Sequence, residues 1–434
     1  MPSWQSVRAR LTLALIALAY LAIFPGDTPA GNSLNERVLG SAKEVLFNYV
    51  AWEANAISRK FDQQQAGLSA YLTEPQRSRY VVDYLQAVHQ LQDLDGKING
   101  IYTDPKIPDH EAATVDLRTQ RTTLQNEVNA KLPLAEAIIE EQISSVLRDE
   151  GLATLGAVLP PVSAHITELP MLLVISPRDQ IKFETSINVV NMKVDDMDTL
   201  ENSIDHRLDV SSLVVPIGGL SLYPSMVEQT WYAPFVFEVA AHEWTHHYLY
   251  FFPLGLNYNE SNDTRTINET TASFMGKEIA RKTLLRFYSD YPDLIAQLPP
   301  LTPPQTTPTP PPNPATPPPF DFDATMNEIR VNVDRLLAAG KIDEAERYMA
   351  AQRLVFAQNG YAGSVRKLNQ AYFAFYGGYL SAGSSGAGGT DPTGSAISEI
   401  RKNSPSVKAW LETMRSIMTR DQLLAARDTL RKSS

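Results

Sequence analysis

The stretch "VAAHEWTHHYLY", residues 239–250, decides how this chain is read. It carries His242, Glu243 and His246 in the order His-Glu-x-x-His, with His247 beside the second histidine. On a helix, residues four apart lie about 40° apart around the axis, so His242 and His246 project side by side and can offer two imidazole nitrogens to one ion. Glu243 is turned by about 100° and lies beside such an ion, where its carboxylate can take a proton from an activated water. The flanks "YAPFVFEVAA" and "YLYFF" would bury the helix, and buried histidines need partners. The same spacing also suits two satisfied histidines on an aromatic-rich helix. A third ligand distinguishes the two.

Downstream lies "TINETTASFMGKEIARK", residues 266–282, where Asn268-Glu269 opens an amphipathic helix and Ala272 falls one turn after Asn268. Together the two stretches resemble the gluzincin zinc metallopeptidases, in which a His-Glu-x-x-His helix is followed by a helix whose Asn-Glu-x-x-Ala pattern supplies a glutamate. The resemblance implies a zincin-like catalytic core, Zn2+ as cofactor, His242, His246 and Glu269 as zinc ligands, and Glu243 as general base. It also implies that Ala272 lets the two helices pack closely. Twenty-two residues separate His246 from Glu269, so the loop "FFPLGLNYNESNDTRT" should be slightly longer than in the best-known members. Glu260, Asp263 and Glu278 are rival carboxylates. Glu278 lies about 180° around the helix from Glu269, an orientation that favours a salt bridge, and His247 is turned about 100° from His246 toward a structural role.

Two further segments bear on the site. "LVVPIGGLSLY", residues 213–223, reads as an edge or bulged strand, with Pro216 and Gly218-Gly219 marking a close approach to the backbone. Such a strand could pair with an extended substrate through main-chain groups or simply be covered by a loop. "KLNQAYFAFYGGY", residues 367–379, bears a fainter likeness to a Tyr-rich helix of a group of bacterial aminopeptidases. It offers Tyr372, Tyr376 or Tyr379 either to an oxyanion or to core packing. The glycine-alanine-methionine-glutamate exopeptidase motif is not found, so no residue is named for a free amino terminus.

The rest of the chain sets the frame. Residues 1–30 hold Arg8 and Arg10 before "LTLALIALAYLAIF", which reads as a secretory signal peptide or an N-terminal membrane anchor. Its fourteen apolar residues would span about 21 Å as a helix, against a hydrocarbon core of about 30 Å. Residues 31–155 read as a helical hairpin turned at "TDPKIPDH", with a break expected at Pro133. Residues 156–298 alternate short Val- and Ile-rich strands with the two motif helices, and the resemblance implies that they form the zincin-like catalytic core, with one small mixed sheet. Residues 299–319 hold twelve prolines in twenty-one positions and read as a linker or insertion. Helix resumes over 320–434, interrupted by a Gly/Ser-rich loop at 381–395.

The fold class is therefore α+β, predominantly helical. With 43% hydrophobic and 20% charged residues the chain is ordinary globular protein. A net charge of -11 argues against nucleic acid as a partner, and the absence of cysteine excludes disulfides and thiolate chemistry. The expectation is a zinc-dependent peptidase acting on peptides or proteins outside the cytoplasm, secreted, periplasmic or tethered to the cell membrane by its N-terminal segment. Two alternatives are a non-catalytic envelope protein braced by a metal and a zinc hydrolase of non-peptide substrates.

Overall fold

The three-to-four spacing of Val81, Leu85, Val88 and Leu91 predicts a packed helical stripe, and these four side chains are buried in a computed structural model of the chain. The structure describes residues 33–103, 106–107, 109–299, 320–378, 387–389 and 391–433. The helices in chain order are α1 (Leu34–Ala42), α2 (Tyr49–Ala66), α3 (Glu74–Thr103), α4 (His110–Asp149), α5 (Val194–Leu208), α6 (Ala233–Leu249), α7 (Pro253–Leu256) and α8 (Asn262–Phe287). They continue with α9 (Pro292–Ile295), α10 (Phe322–Ala338), α11 (Ile342–Gln358), α12 (Gln370–Tyr376), α13 (Thr393–Asn403), α14 (Val407–Met414) and α15 (Arg420–Ser433). The strands are β1 (Ala153–Thr154), β2 (Ala157–Val158), β3 (Ala164–Thr167), β4 (Met171–Pro177), β5 (Thr185–Val189), β6 (Val210–Pro216), β7 (Gly219–Leu220) and β8 (Ser225–Glu228). The fold is α+β and mostly helical, with small sheets.

Helices α3 and α4 run antiparallel: Tyr80 meets Lys131, Asp95 meets Arg121, and Tyr102 meets Glu111. The break expected at Pro133 does not occur, and α4 runs through it. Pro133 removes one backbone hydrogen bond. The neighbouring Leu132, Ala135, Ile138 and Ile139 are all buried, and this packing holds the helix continuous. A buried ion cluster ties α2 and β3 to the same helix: Lys60 Nζ donates to Glu136 at 2.6 Å and Glu140 at 2.7 Å, and His165 Nδ1 lies 2.8 Å from Glu136.

The single small mixed sheet is replaced by three sheets. β1 and β2 form a hairpin, β5-β4-β6 is antiparallel, and β3-β8-β7 is mixed, with β3 parallel and β7 antiparallel to β8. The stretch expected to be one edge strand is divided between two of them. Pro216 lacks an N–H for the ladder and ends β6, and the chain then crosses to β7 at Gly219. Both faces of β5-β4-β6 are covered, one by α10 to α12 and the other by α1 and α5. This explains the nearly unbroken apolar run of "MLLVIS".

Helices α6 and α8 sit in a third and larger core that also takes Val81 and Val88 of α3, Ile138 and Ile143 of α4, Ile397 of α13, Trp410 of α14 and Leu423 of α15. Pro234 starts α6 in its first turn, where a missing N–H is harmless. α8 starts at Ser261, whose hydroxyl accepts from Thr264 N at 3.1 Å. Ala272 is fully buried, and one turn further on α8 approaches α6 closely. A Cβ on Gly276 would stand 2.7 Å from the Glu238 carbonyl oxygen and 3.1 Å from His242 Cβ.

One expectation is corrected. Among the described residues no helix is long and apolar enough to cross a membrane. α3 and α4 exceed the roughly 20 residues a span needs, but charged side chains such as Arg79, Asp83, Asp93 and Lys97 run along the first of them. An extracytoplasmic protein tethered by an apolar segment therefore finds no support in the fold, and residues 1–30, where the signal or anchor was read, lie outside the described residues. The Pro-rich residues 300–319 also lie outside them.

Because the Gly276 contact is with backbone and cannot swing aside, Gly276→Val should destabilise the chain by about 1–3 kcal/mol. Chemical denaturation measures this; an unchanged midpoint and slope would show that the helix pair is not tightly packed there.

Candidate metal centre

Two turns of α6 and one of α8 bring three donors together. His242 Nε2 and His246 Nε2 are 3.0 Å apart, and Glu269 Oε2 lies 3.5 Å from the first and 3.6 Å from the second. Zinc bound at about 2.0–2.2 Å by tetrahedral N and O ligands holds neighbouring donors roughly 3.3–3.5 Å apart. At 3.0, 3.5 and 3.6 Å the three atoms lie within a few tenths of an ångström of one face of a zinc tetrahedron. They form the metal-capable group of the described residues, and no fourth side chain joins them. The rival carboxylates lie elsewhere: Glu278 pairs with Arg401 at 2.7 Å and Lys282 at 2.9 Å, Asp263 pairs with Arg420 at 3.2 Å, and Glu260 is exposed.

The His246 imidazole is held in a defined tautomer. Asn268 Nδ2 donates to the Leu254 carbonyl at 3.1 Å, which turns Asn268 Oδ1 toward His246 Nδ1 at 2.7 Å. Nδ1 must then be the donor, and Nε2 keeps a lone pair for an ion. His242 has a weaker support, with Ser273 Oγ 3.5 Å from its Nδ1. Glu269 is held at its other oxygen, where the Tyr258 hydroxyl donates to Oε1. That leaves Oε2 for the metal. Arg265, one turn before Glu269, lies with its guanidinium carbon 3.5 Å from the Phe183 ring centroid and 6.0 Å from that of Tyr258.

The electrostatics favour a cation. Burial opposes an ionised Glu269, but His246, the hydrogen bonds from both histidines and the Arg265 charge outweigh it and hold the carboxyl well below its ordinary range. Burial likewise opposes a charge on His246. Glu269, Glu243 and the Asn268 hydrogen bond overcome it and raise the imidazole to about 9. The negative field that would hold a proton there also attracts a metal ion.

Glu243 lies outside the ligand group, 6% exposed. Burial raises its pKa, with His242 and His246 pulling the other way. Its carboxylate packs on the backbone of β7: a Cβ on Gly219 would come 2.4 Å from Glu243 Oε1 and 2.5 Å from Val239 Cγ1. His247 points away and donates through Nε2 to the Leu222 carbonyl at 2.7 Å, and burial lowers its pKa to about 4. Tyr372 is buried in the core under β4 and β6, Tyr376 packs against that core, and Tyr379 lies outside the described residues.

Several functional neighbours escaped sequence reasoning. Asn268 was visible only as the first letter of a motif, and its hydrogen bond to His246 depends on the two helices being side by side. Tyr258 and Arg265 carry no spacing signal, because one is on a loop and the other faces a distant strand connection. Gly219 was flagged as a close approach, and the group approaching it is Glu243.

Purified protein dialysed against zinc should hold one ion per chain, with Glu269→Ala or His246→Ala losing it. Asn268→Ala should weaken zinc by about 10–100-fold, read by competition with a chromophoric chelator. Full affinity in all three variants would remove the centre. No protein-family model matches the chain, nor does any curated protein or solved structure, and the centre is interpreted from its own geometry.

Proposed function

We propose that the chain is a zinc-dependent peptidase with Glu243 as general base. The observation that carries this reading is the division of labour on α6. Three donors converge near zinc spacing, while a second, buried carboxylate, Glu243, lies within electrostatic reach of all three without joining them. A structural zinc is closed by four side chains, whereas three protein ligands suit a reactive centre. When bound, zinc would act as a Lewis acid toward a carbonyl and lower the pKa of a water.

The chain's own residues supply the rest. Glu243, buried and with its pKa raised by that burial, is placed to take a proton and return it to a leaving amine. Gly219 gives its carboxylate room. β7 is the outer strand of β3-β8-β7, and Glu228 N donates to Gly218 O at 3.0 Å. In an antiparallel ladder bonded and non-bonded pairs alternate, so Gly219 next in line turns its N–H and C=O away from β8. This open backbone beside Glu243 supports an extended, main-chain-recognised substrate over a compact small molecule.

Glu243→Gln should abolish hydrolysis across a peptide library while keeping stoichiometric zinc; hydrolysis at the wild-type rate would refute the role of the base. Gly219→Ala should keep zinc too but lower kcat by about tenfold or more, since an approach of 2.4 Å forces Glu243 to move. Retained kcat in that variant would show that the carboxylate position is not critical.

A further inference from the structure

Around the axis of α6, Glu238 precedes His242 by about 40° and His246 follows it by about 40°, so the three share one face. The elements on either side of that face are fixed by contact. Towards β7, Phe235, Val239 and Glu243 meet Gly218 and Gly219, with no room for a Cβ at either glycine. Towards α8, Gly276 presses on the Glu238 backbone and on His242 Cβ. The Glu238–His242–His246 line runs along α6 beside these contacts, and all three side chains are part-exposed.

Glu238 is the member of that line without a task in the metal centre. Its carboxylate is not in the ligand group. Among the described residues no hydrogen bond and no ion pair reaches it, although His242 and Lys277 are near enough to act on it electrostatically. Burial correspondingly raises its pKa. A half-buried carboxylate on the same helix face as the two histidines, with no hydrogen-bond donor of its own, is suited to a donor from outside.

We propose that the Glu238 carboxylate receives a protonated amine of the substrate, one helical turn from the metal ligands. The inference rests on the peptidase reading and makes Glu238 a specificity-determining residue. The four residues from Glu238 to His242 rise about 6 Å along α6, the length of roughly two residues of extended peptide. The amine is therefore a free amino terminus or a lysine side chain close to the scissile bond.

The test uses the full zinc-loaded chain and two matched peptide pairs. One pair differs in a free against an acetylated amino terminus, the other in lysine against norleucine within an otherwise neutral peptide. Wild-type protein should favour the charged member of one pair by about tenfold in kcat/KM, the scale of one charge-assisted hydrogen bond. The pair that responds identifies the source of the amine. Glu238→Gln should remove the preference, chiefly through KM, and Glu238→Asp should restore part of it. Calorimetric binding of the same pairs to Glu243→Gln protein reads the preference without turnover. A wild-type enzyme indifferent to both pairs, or a preference that survives Glu238→Gln, overturns the subsite while leaving the peptidase reading intact. Absent hydrolysis in wild-type protein overturns the peptidase reading instead, and if the binding preference is also absent, both fall.

Discussion

At Gly276 the backbone of α8 comes so near α6 that one methyl group would meet the Glu238 carbonyl at 2.7 Å, and the reach of Glu269 follows from that separation. A glutamate on one helix meets two imidazoles on another only if the helix axes are close and correctly rotated. The missing side chain at Gly276 lets them come close. The hydrogen bond from His246 to Asn268 then fixes the rotation, since it joins the residue before Glu269 to the second histidine. Everything else at the centre can be understood as support for that one juxtaposition.

The support is mostly polar and lies in a buried region, where an unpaired group is costly. Glu269 is held from three sides, by the histidines, by Tyr258 and by the field of Arg265. Arg265 is itself stacked on Phe183, from the connection between β4 and β5, so the antiparallel sheet reaches the centre without contributing a ligand. A Cβ on Gly378, just past α12, would stand 3.0 Å from Arg265 Nη1, which brings the C-terminal helical region to the same guanidinium.

What could be read in the sequence was what depends on near neighbours along the chain. His242 and His246 are four apart, and Asn268-Glu269 heads an amphipathic stretch, so ligand spacing and helix period appear together. β3, β4 and β5 announced themselves by composition. The helix α5 did not, although Asp195 and Asp196 in its first turn and buried Met197 and Ile204 are a weak helical signature. Pro216 and Gly218 read locally as a bulge within one strand, whereas in the fold they mark a change of sheet. At Pro133 local preference predicts a break and tertiary packing overrides it. Asn268, Tyr258 and Gly276 act across helices, and no periodicity within either helix reports such a relation.

The core that encloses α6 and α8 draws on residues from Val81 to Leu423. Contacts separated so widely in sequence form late, because a long loop must close before they contribute. As a nascent chain emerges from the ribosome, α3 and α4 can pair early, but the apolar bed of the histidine helix stays unfinished until Trp410 and Leu423 have also emerged. The candidate metal centre is therefore among the last parts of the molecule to be assembled, and a half-made chain would carry His242, His246 and Glu269 without the framework that aligns them.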